Sequence, residues 1–354
     1  MVANIKYIRT FYPHWGEHSG IHQFIHHLAP EKFRIQQAIV PLGFTGAMGR
    51  KLDSLFARIV KGRGVKAYRL NDAREELATF FECITRGFDI VHFLDGEHGI
   101  MLLPGMLKHM NRIKKIPLLI GMFHQPPHIL DGLINPKIIN QLDYIIVVSP
   151  DQADYFAQYA ARDKIRVILH GIDTDHFRPT QNKASSNTLR CLAGGVWLRD
   201  YNSLFESARL LKNESIEFHL IASKLEKPED LDNVFIHRNI PDEKYRHLFE
   251  ESDALFMPLK AATANNVILE GIACGLPVVT TDLRSVKAYL PGEEAILVKD
   301  NDPSEFAHIL RELLRDPEKR IRMSKQARRR AEELSWPNIA KQYGSFYTEI
   351  LKKN

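Results

Sequence analysis

Short apolar runs recur along the whole chain, and stretches with helical periodicity separate them. Continuous runs of this length are typical of strands buried on both faces of a parallel sheet. In the first half the runs are Ile5–Phe11, Ile35–Leu42, Ile90–Leu94, Leu118–Phe123, Tyr144–Ser149 and Val167–Leu169. In the second half they are Arg190–Gly194, Glu217–Ala222, Val234–His237, Ala254–Met257, Pro277–Thr280 and Ala295–Val298. This alternation predicts an α/β protein.

The helical patterns divide the chain into two similar halves. They are Gly20–Leu28, Glu75–Thr85, Tyr201–Leu211, Lys244–Glu251, Val267–Cys274, Ser304–Leu314 and, at the end, Trp336–Leu351. Because single cores stop growing at about 250–300 residues, we expect two doubly wound, Rossmann-like domains that face a cleft. The polar segment Asp173–Asn187 contains a proline and is the predicted linker, which places the domains at 1–172 and 173–336.

Composition narrows the functional classes. No apolar run approaches the roughly 18–20 residues of a membrane span, and the N-terminus has no signal-peptide core. Three cysteines, Cys83, Cys191 and Cys274, lie far apart in sequence, and neither a CxxC metal site nor a disulfide framework is indicated. The formal net charge of +5 is too small to indicate nucleic acid by itself. We therefore expect a cytoplasmic protein that binds no nucleic acid.

The first loop after a strand, Tyr12–Gly20, has features of an anion site. Gly16 and Gly20 permit close backbone approach, and the helix that follows offers free N–H groups and a favourable dipole to a phosphate. An ordinary turn is the alternative. The same loop begins a series of histidines, His18, His22 and His26, at a spacing that suits one helical face. A metal site is conceivable there, but a solvated or partly buried polar face is the simpler interpretation.

His124 follows the predicted strand Leu118–Phe123, where polar side chains of an α/β sheet point towards ligands. Pro126 and Pro127 stiffen the loop, so a neutral imidazole would be well placed to bond a substrate hydroxyl. A structural histidine at the strand end is the alternative. Polar residues follow the neighbouring strand in the same way, with less certain roles: Asp95, Glu97 and His98.

Arg199 lies in the sequence GGVWLRD after the first strand of the second half. Its permanent cation and forked donors suit a phosphate. A surface ion pair with Asp200 is the alternative.

The sequence ANNVILEGIACGLP at 264–277 places one carboxylate inside an apolar helix. Asn265 or Asn266 is a suitable N-cap, and Gly275 ends the helix. Glu270 is costly in such a helix without a partner. A ribose diol is a suitable partner, since its two hydroxyl donors match two carboxylate oxygens. An internal ion pair is the alternative.

Taken in order, four stretches resemble the retaining glycosyltransferases of family 4, which have the GT-B fold of two Rossmann-like domains. They are the loop Gly16–Gly20, VILHGIDTDHFRP at 167–179, AGGVWLRD at 193–200 and ANNVILEGIACGLPVVTTD at 264–282. The ending LSWPNIAKQYGSFYTEIL also resembles the closing helices of the family. The resemblance therefore implies that a C-terminal helix, 337–354, packs back on the N-terminal domain.

The resemblance implies transfer of a sugar from a nucleotide-diphosphate donor, such as a UDP- or GDP-sugar, with retention at the anomeric carbon and without bound metal or other cofactor. Glu270 would then hold the ribose. Arg199 and the N–H groups near Asn266 and Val267 would hold the diphosphate. The loop Gly16–Gly20 would close over the phosphates, and His124 resembles the family histidine near the donor sugar.

Two departures from the family pattern bear on the donor. The family often has two glutamates eight positions apart, and here Ala262 stands where the first, which touches the donor sugar, is expected. Asn265 or Asn266 is a neutral substitute. The family also tends to place a lysine after the arginine of the phosphate loop, but Asp200 follows Arg199, so Lys260 becomes the candidate for a second cation.

The acceptor, a glycan, a lipid-linked sugar or a small molecule, is expected on the first domain. Basic clusters there suggest peripheral contact with an anionic membrane, although a solvated helix face is an equal alternative. The clusters consist of Arg50, Lys51, Arg58, Lys61, Arg63, Lys66, Arg69, Lys108, Arg112, Lys114 and Lys115, and the apolar residues among them are Leu52, Leu55, Phe56 and Ile59. Two other functions remain open: another GT-B enzyme, such as a nucleotide-sugar epimerase or a phosphorylase, and a non-catalytic nucleotide-sugar binder.

Overall fold

A computed structural model describes residues 2–12, 18–43, 47–61, 68–109, 115–180 and 186–353. It divides into two compact units. The first unit contains Met1–Trp15, Ile21–His170 and Ile339–Asn354, and the second contains Gly16–Gly20 and Gly171–Asn338. The short segment Gly16–Gly20 thus groups with the second unit, although it precedes most of the first in sequence.

The first unit is built on a parallel sheet of six strands in the order β2-β1-β3-β4-β5-β6. The strands are β1 Ala3–Thr10, β2 Phe33–Val40, β3 Ile90–Phe93, β4 Leu118–Phe123, β5 Tyr144–Val147 and β6 Ile165–Val167. The strand order reverses between β1 and β3. In an open α/β sheet, the crevice beyond the carboxyl ends of the strands at such a point is the usual ligand site.

Helices cover both faces of this sheet. They are α1 Ala47–Lys61, α2 Leu70–Thr85, α3 Gly96–Gly99, α4 Leu103–Lys108, α5 Pro127–Leu130, α6 Pro136–Ile139 and α7 Pro150–Phe156, with 3-10 helices at Ile21–His27 and Arg162–Lys164. The pattern at Gly20–Leu28 was expected to be an ordinary helix and forms the 3-10 helix Ile21–His27 instead. Its apolar residues at spacings of three and four, Ile21, Phe24 and Ile25, are buried as the pattern predicted.

The C-terminal helix α14, Trp336–Lys353, contributes aromatic side chains to the core of the first unit. The Tyr343 ring stacks on Phe24 with centroids 3.8 Å apart. The Tyr7 hydroxyl donates to the Tyr347 hydroxyl at 3.1 Å, and that oxygen lies 2.8 Å from Nδ1 of His92. These fully buried rings join α14, β1 and β3 into one packed layer.

The second unit has its own parallel six-stranded sheet in the order β12-β11-β10-β7-β8-β9. Its strands are β7 Leu189–Gly194, β8 Ile216–Ile221, β9 Val234–His237, β10 Ala254–Met257, β11 Val278–Thr281 and β12 Ala295–Val298. Its helices are α8 Tyr201–Leu210, α9 Asp242–Glu251, α10 Asn266–Ala273, α11 Arg284–Tyr289, α12 Pro303–Arg315 and α13 Pro317–Glu333, with a 3-10 turn at Lys299–Asn301. The order reverses between β7 and β10, and all predicted strands of both halves form.

The predicted linker Asp173–Asn187 begins inside the second unit and is firmly held where it is described. Phe177 is buried, and Arg328 of α13 donates to the carbonyls of Thr174 and Phe177. Residues 181–185 lie outside the described part of the chain.

Candidate functional site

The switch point of the second unit brings together the two loops that the sequence analysis singled out. After β7 the chain turns through Gly195 and Leu198, which both have positive φ, at 78° and 58°. It then meets the segment after β10 through an antiparallel bridge between Arg199 and Leu259. Residues at 194–200 and 258–270 therefore lie side by side at the edge of the sheet where ligands are expected.

Arg199 is held by three hydrogen bonds to its neighbours. Its Nε donates to the Gly194 carbonyl at 2.9 Å, Nη1 to the Trp197 carbonyl at 3.0 Å and Nη2 to Oδ1 of Asn265 at 3.2 Å. All three acceptors are neutral, and in the described part of the chain Arg199 forms no ion pair. Burial lowers the pKa of Arg199. The guanidinium is thus fixed in place with an uncompensated positive charge.

Asp200 does not neutralise Arg199, contrary to the alternative considered from the sequence. Its Oδ1 caps α8 by accepting from the Ser203 backbone, and its Oδ2 accepts from Nδ2 of Asn301 at 2.9 Å. Burial acts to raise the pKa of Asp200, but these hydrogen bonds outweigh it and the pKa is lowered.

Asn265 is the N-cap of α10, as predicted for it or its neighbour. Its Oδ1 accepts from the Ile268 backbone at 3.4 Å as well as from Arg199. Its amide nitrogen Nδ2 is buried and finds no hydrogen-bond partner among the described residues. A buried donor in that state costs about 1–3 kcal/mol, which an acceptor oxygen on a ligand would recover.

Glu270 projects from the middle of α10 and is 4% exposed. Its Oε2 accepts from the Tyr245 hydroxyl at 2.5 Å, and its Oε1 accepts from the Ser19 hydroxyl at 3.4 Å. Burial raises the pKa of Glu270 to about 7, although both hydrogen bonds act to lower it. Within the described chain no basic side chain pairs with Glu270, so its partners are hydroxyls rather than the internal ion pair considered from the sequence.

The remaining predicted residues surround this group. Val267 packs against Gly194, where an added Cβ would lie 3.2 Å from a Val267 methyl. Asn266 and Ala262 are partly exposed, and Lys260 is exposed and contributes to the lowered pKa of Asp200. Gly20 has φ 98°, a conformation that favours glycine. Gly16 lies outside the described residues.

His124 lies in the first unit, directly after β4. Its Nε2 is 2.7 Å from the Leu94 carbonyl. Because a carbonyl only accepts, Nε2 of His124 carries a proton. The carboxylate of Glu97 accepts from the backbone N–H groups of His124 and Gln125. The structure therefore places His124 in a strand-end loop that these hydrogen bonds hold, and its contact with the donor sugar stays a prediction.

Asp95 follows β3 at the switch point of the first unit. Its Oδ2 accepts from the Thr10 backbone at 2.7 Å, and its Oδ1 lies 3.4 Å from the Tyr12 hydroxyl. Burial raises the pKa of Asp95, and the charge of His124 opposes that shift. Glu97 and His98 belong to α3, the short helix that follows.

The predicted histidine series does not form one helical face. His18 precedes the 3-10 helix, and its Nδ1 lies 2.7 Å from Oδ2 of Asp173 while its ring stacks on His176 at 3.6 Å. Burial, Arg9 and His26 lower the pKa of His22 to about 4. Across the described ranges, no group of three or more His, Cys, Asp or Glu side chains is arranged to hold a metal ion.

The basic surface of the first unit includes an apolar stripe on α1. Leu52, Leu55 and Ile59 are each at least half exposed, and Lys51 and Arg58 are exposed beside them. Arg69 instead pairs with Asp72. Lys108 and Lys115 are exposed. The structure does not describe four of the predicted basic residues, Arg63, Lys66, Arg112 and Lys114, or the side chains of Arg50 and Lys61. Over the described ranges, no helix is long and apolar enough to cross a membrane.

Two family models match the chain on either side of the unit boundary. A model for glycosyltransferase family 4 matches residues 23–176, and a model for glycosyl transferases group 1 matches residues 193–316. The chain belongs to glycosyltransferase family 4.

Individual relatives of this family 4 chain are distant. It is 25% identical over 308 residues to a D-inositol 3-phosphate glycosyltransferase of Streptomyces avermitilis, covering 75% of this chain and 66% of the relative. It is 27% identical over 247 residues to a protein of the same name from Corynebacterium urealyticum, covering 60% of this chain and 58% of the relative. The chain thus spans about six tenths of the length of these curated relatives.

Solved structures establish the fold. A sucrose-phosphate synthase from Thermosynechococcus elongatus superposes with a TM-score of 0.70 at 16% identity, covering 99% of this chain and 100% of that one. With its two parallel six-stranded sheets, the chain has the GT-B fold of two Rossmann-like units. The predicted family and fold class are therefore confirmed.

Sequence reasoning missed two members of this family 4 site, Tyr245 and Ser19. Tyr245 lies on α9, 25 residues before Glu270, and nothing in its helical pattern marks it. Ser19 lies inside the glycine-bearing loop that was singled out as a whole. The signal that identifies both is the burial of Glu270, because a buried carboxylate requires donors.

Proposed function

We propose that this protein is a retaining glycosyltransferase that transfers a sugar from a nucleoside-diphosphate sugar to an acceptor hydroxyl without a bound metal. The observation that supports this best is the group of Arg199, Asn265 and Glu270 at the switch point of the second unit. It combines an unneutralised cation, a buried donor without a partner and a carboxylate that accepts from hydroxyls. Those three features match a diphosphate and a ribose.

The diphosphate would lie between Arg199 and the start of α10. Arg199 supplies fixed positive charge, and the first N–H groups of α10, near Asn266 and Val267, supply donors with the helix dipole behind them. Nδ2 of Asn265 adds a donor that needs an acceptor. Lys260 is the second cation. Donors fixed before the reaction stabilise charge that develops on the leaving diphosphate, each worth about 3–4 kcal/mol of barrier.

The ribose would bind Glu270. Hydroxyls of Tyr245 and Ser19 already donate to this carboxylate, so its oxygens are directed towards O–H donors. A ribose diol offers two more hydroxyls of the same kind. Donors to the ionised form also lower the pKa of a carboxyl group, so nucleotide binding is expected to release a proton from Glu270 near neutral pH.

The donor base and sugar follow less directly. A related fold, that of Anabaena HepE, was solved in complex with UDP and glucose, with a TM-score of 0.66 at 13% identity, covering 98% of this chain and 99% of that one. We infer a UDP- or GDP-sugar as the donor. With Ala262 in place of the usual glutamate, Asn265 or Asn266 would contact the sugar, and His124 would accompany them. The loop Gly16–Gly20 would cover the phosphates.

A differential screen by thermal shift tests the donor. Wild-type protein is heated with UDP, GDP or ADP and with their sugars. A ligand at 100 times its dissociation constant should stabilise the fold by about 2.7 kcal/mol.

Two variants test the residues of the site. Glu270→Ala should weaken nucleotide binding, and Arg199→Ala should lower turnover. The control is Arg209→Ala, which replaces a surface arginine of α8 in the same unit and should change neither. Unchanged turnover in Arg199→Ala would remove that residue from the diphosphate site.

The reaction products separate this proposal from two others. An epimerase would change the nucleotide sugar without an acceptor, and a non-catalytic binder, which Ala262 keeps open, would hold the donor without transfer or hydrolysis. Proton NMR of the product from an α-linked donor should show an α linkage. A β linkage would contradict retention.

We further propose that the protein acts in the cytoplasm and touches an anionic membrane through α1. The exposed stripe Leu52, Leu55 and Ile59 with Lys51 and Arg58 beside it has the character of an interfacial helix. Co-sedimentation with anionic vesicles should occur at low salt and fall with added salt, and Lys51→Gln with Arg58→Gln should weaken it. Equal sedimentation with neutral and anionic vesicles would contradict the proposal.

A further inference from the structure

Arg9 is a partly buried arginine at the switch point of the first unit, and it has no hydrogen-bond or ion-pair partner in the described part of the chain. It is the second-last residue of β1, and β1 lies next to β3, where the strand order reverses. Its Nε is buried and has no hydrogen-bond partner. Among the described residues, its guanidinium forms neither a hydrogen bond nor an ion pair. A cation that is withdrawn from water in this way is expensive to keep unless something binds it.

Two other basic side chains of the first unit, Lys6 and Arg69, have acidic partners. Lys6 pairs with Glu82 at 2.7 Å and Glu75 at 3.4 Å. Arg69 pairs with Asp72 at 3.0 Å and also donates to the Thr10 hydroxyl. Unlike Lys6 and Arg69, Arg9 forms no ion pair among the described residues. Its positive charge therefore does not help to hold the fold together.

The surroundings of Arg9 are mostly neutral. Residues two apart in a strand share a face, so Arg9 lies on the same face as Tyr7, whose ring packs edge-on against Phe24 and lies 5.6 Å from the His92 ring. His92 is fully buried, and its pKa is lowered to about 3, so it is uncharged. His22 is also neutral near pH 7, since burial and Arg9 lower its pKa to about 4. Buried, uncharged side chains such as these screen charge less than water does, so they strengthen the attraction of Arg9 for a negative group.

Asp95 is the acid whose charge acts on Arg9, and it does not satisfy the guanidinium. Its charge raises the pKa of Arg9, against the larger effect of burial. The two side chains nevertheless form no ion pair, and the oxygens of Asp95 accept from the Thr10 backbone and the Tyr12 hydroxyl instead. The donors of Arg9 thus remain available at an edge of the sheet where ligands of α/β proteins bind.

We propose that Arg9 binds an oxyanion, a phosphate or a carboxylate, carried by the acceptor, so that this glycosyltransferase acts on anionic acceptors. The forked guanidinium donates two parallel bonds to either group. This inference rests on the proposed function. The proposed function places the donor nucleotide in the second unit, so an anion bound at β1 of the first unit would belong to the acceptor.

Small anions test the subsite without knowledge of the whole acceptor. The full-length protein is titrated with inorganic phosphate and with acetate at constant ionic strength in chloride, in the presence of saturating UDP. Binding is followed by the shift in Tm. Arg9→Gln is compared with Arg162→Gln, which removes the same charge from an exposed arginine of the same unit. Arg9→Lys keeps the charge and removes the fork.

Wild type and Arg162→Gln should bind phosphate or acetate, and Arg9→Gln should bind it at least tenfold more weakly, with Arg9→Lys between them. Phosphate preferred over acetate would assign a phosphorylated acceptor, and the reverse a carboxylated one. Equal anion affinity in Arg9→Gln and wild type, or no response of wild type to either anion, would overturn the proposal. So would a tenfold loss of UDP affinity in Arg9→Gln, because the guanidinium would then serve the donor.

A second series keeps this result separate from the donor site. The phosphate titration is repeated without UDP in the Arg199→Ala variant, where the proposed diphosphate site is disabled. Phosphate binding that persists there and disappears in Arg9→Gln supports the subsite even if wild type fails to bind any nucleotide, which would refute the proposed donor site alone. Arg9→Gln breaks no hydrogen bond or ion pair among the described residues and removes a charge that is costly to bury, so its Tm in chloride should equal or exceed that of wild type.

Discussion

Glu76 in the first unit and Glu270 in the second are buried glutamates with almost the same first description. They are 0% and 4% exposed, each accepts a hydrogen bond from a tyrosine hydroxyl, and burial raises the pKa of each to about 7. Their other partners differ. The oxygens of Glu76 accept from the backbone N–H groups of Met101, Leu102 and Leu103 at 2.8–3.1 Å. The other hydrogen bond that Glu270 accepts comes from the Ser19 hydroxyl.

The difference separates a structural carboxylate from one that suits a ligand. Backbone N–H groups at the start of α4 have no other partner in that turn, so Glu76 completes the fold there. Hydroxyl donors can be joined or replaced by hydroxyls of a bound molecule without unsatisfied backbone. Burial and pKa alone would have ranked the two residues equally, and the identity of the donors distinguishes them.

The same substitution at both positions should give the largest contrast in stability. In Glu76→Gln only one oxygen remains to accept from three backbone N–H groups and the Tyr68 hydroxyl. The NH2 group that replaces the other oxygen is itself a donor, so some of these donors lose their acceptor. We expect a loss of roughly 3–5 kcal/mol in the free energy of unfolding, as for a broken buried network. Glu270→Gln should lose less than half of that. Urea denaturation at pH 8, where both carboxyl groups are mostly ionised, measures both losses, and equal losses would remove the distinction.

The dependence of stability on pH should reveal the buried carboxyl group of Glu270. Its pKa of about 7 in the folded protein lies above the 4.5 usual for a glutamate, so its favourable contribution to stability is complete below pH 4.5 and is lost as the pH rises through 7. Glu270→Gln removes this dependence. Between pH 4.5 and 7.5 the free energy of unfolding of wild type should fall by about 3 kcal/mol relative to that of the variant. Parallel curves from urea denaturation would show that Glu270 ionises normally.

Nucleotide affinity should respond to Glu270 and not to Glu76. Loss of two hydrogen bonds between a charged carboxylate and the ribose should weaken UDP or GDP by about 10- to 100-fold in Glu270→Gln, or about 1.5–3 kcal/mol. Calorimetric titration at pH 7.5 measures this. Glu76→Gln, studied at a temperature where it stays folded, is the matched control. Tight binding by Glu270→Gln would assign the ribose to other residues.

Most of the sheet architecture was predictable because buried strands leave continuous apolar runs. All twelve strands form within a few residues of the predicted ranges. Helix α13 was harder to recognise, since its buried stripe consists of Met323, Ala327 and Ala331 on an otherwise charged helix. The four-residue helices α3, α5 and α6 are too short to show a period.

The site was predictable where chemistry follows a strand, and less so where it depends on distant contacts. Arg199, Asn265 and Glu270 were identified from loops and from a carboxylate in an apolar helix. The bond between Arg199 and Asn265 joins residues 66 positions apart, and no local pattern encodes it. Arg9 was missed because it lies inside an apolar run, where a strand-end arginine resembles a solvated residue until its burial and lack of partners are known.

Removal of the two tyrosine hydroxyls gives the finest test of the comparison. Tyr68→Phe and Tyr245→Phe each delete one hydrogen bond to a buried carboxyl group, and each should cost about 1–2 kcal/mol of stability in the free protein. With saturating nucleotide the two should diverge. If ribose hydroxyls donate to Glu270 as proposed, they partly replace Tyr245 and the cost of Tyr245→Phe shrinks. The cost of Tyr68→Phe should be unchanged, because Glu76 is not part of the proposed nucleotide site. Thermal unfolding of both variants with and without UDP measures the four values. If nucleotide changes both costs equally, the hydroxyl donors of Glu270 are as structural as the backbone donors of Glu76, and the ribose must bind elsewhere.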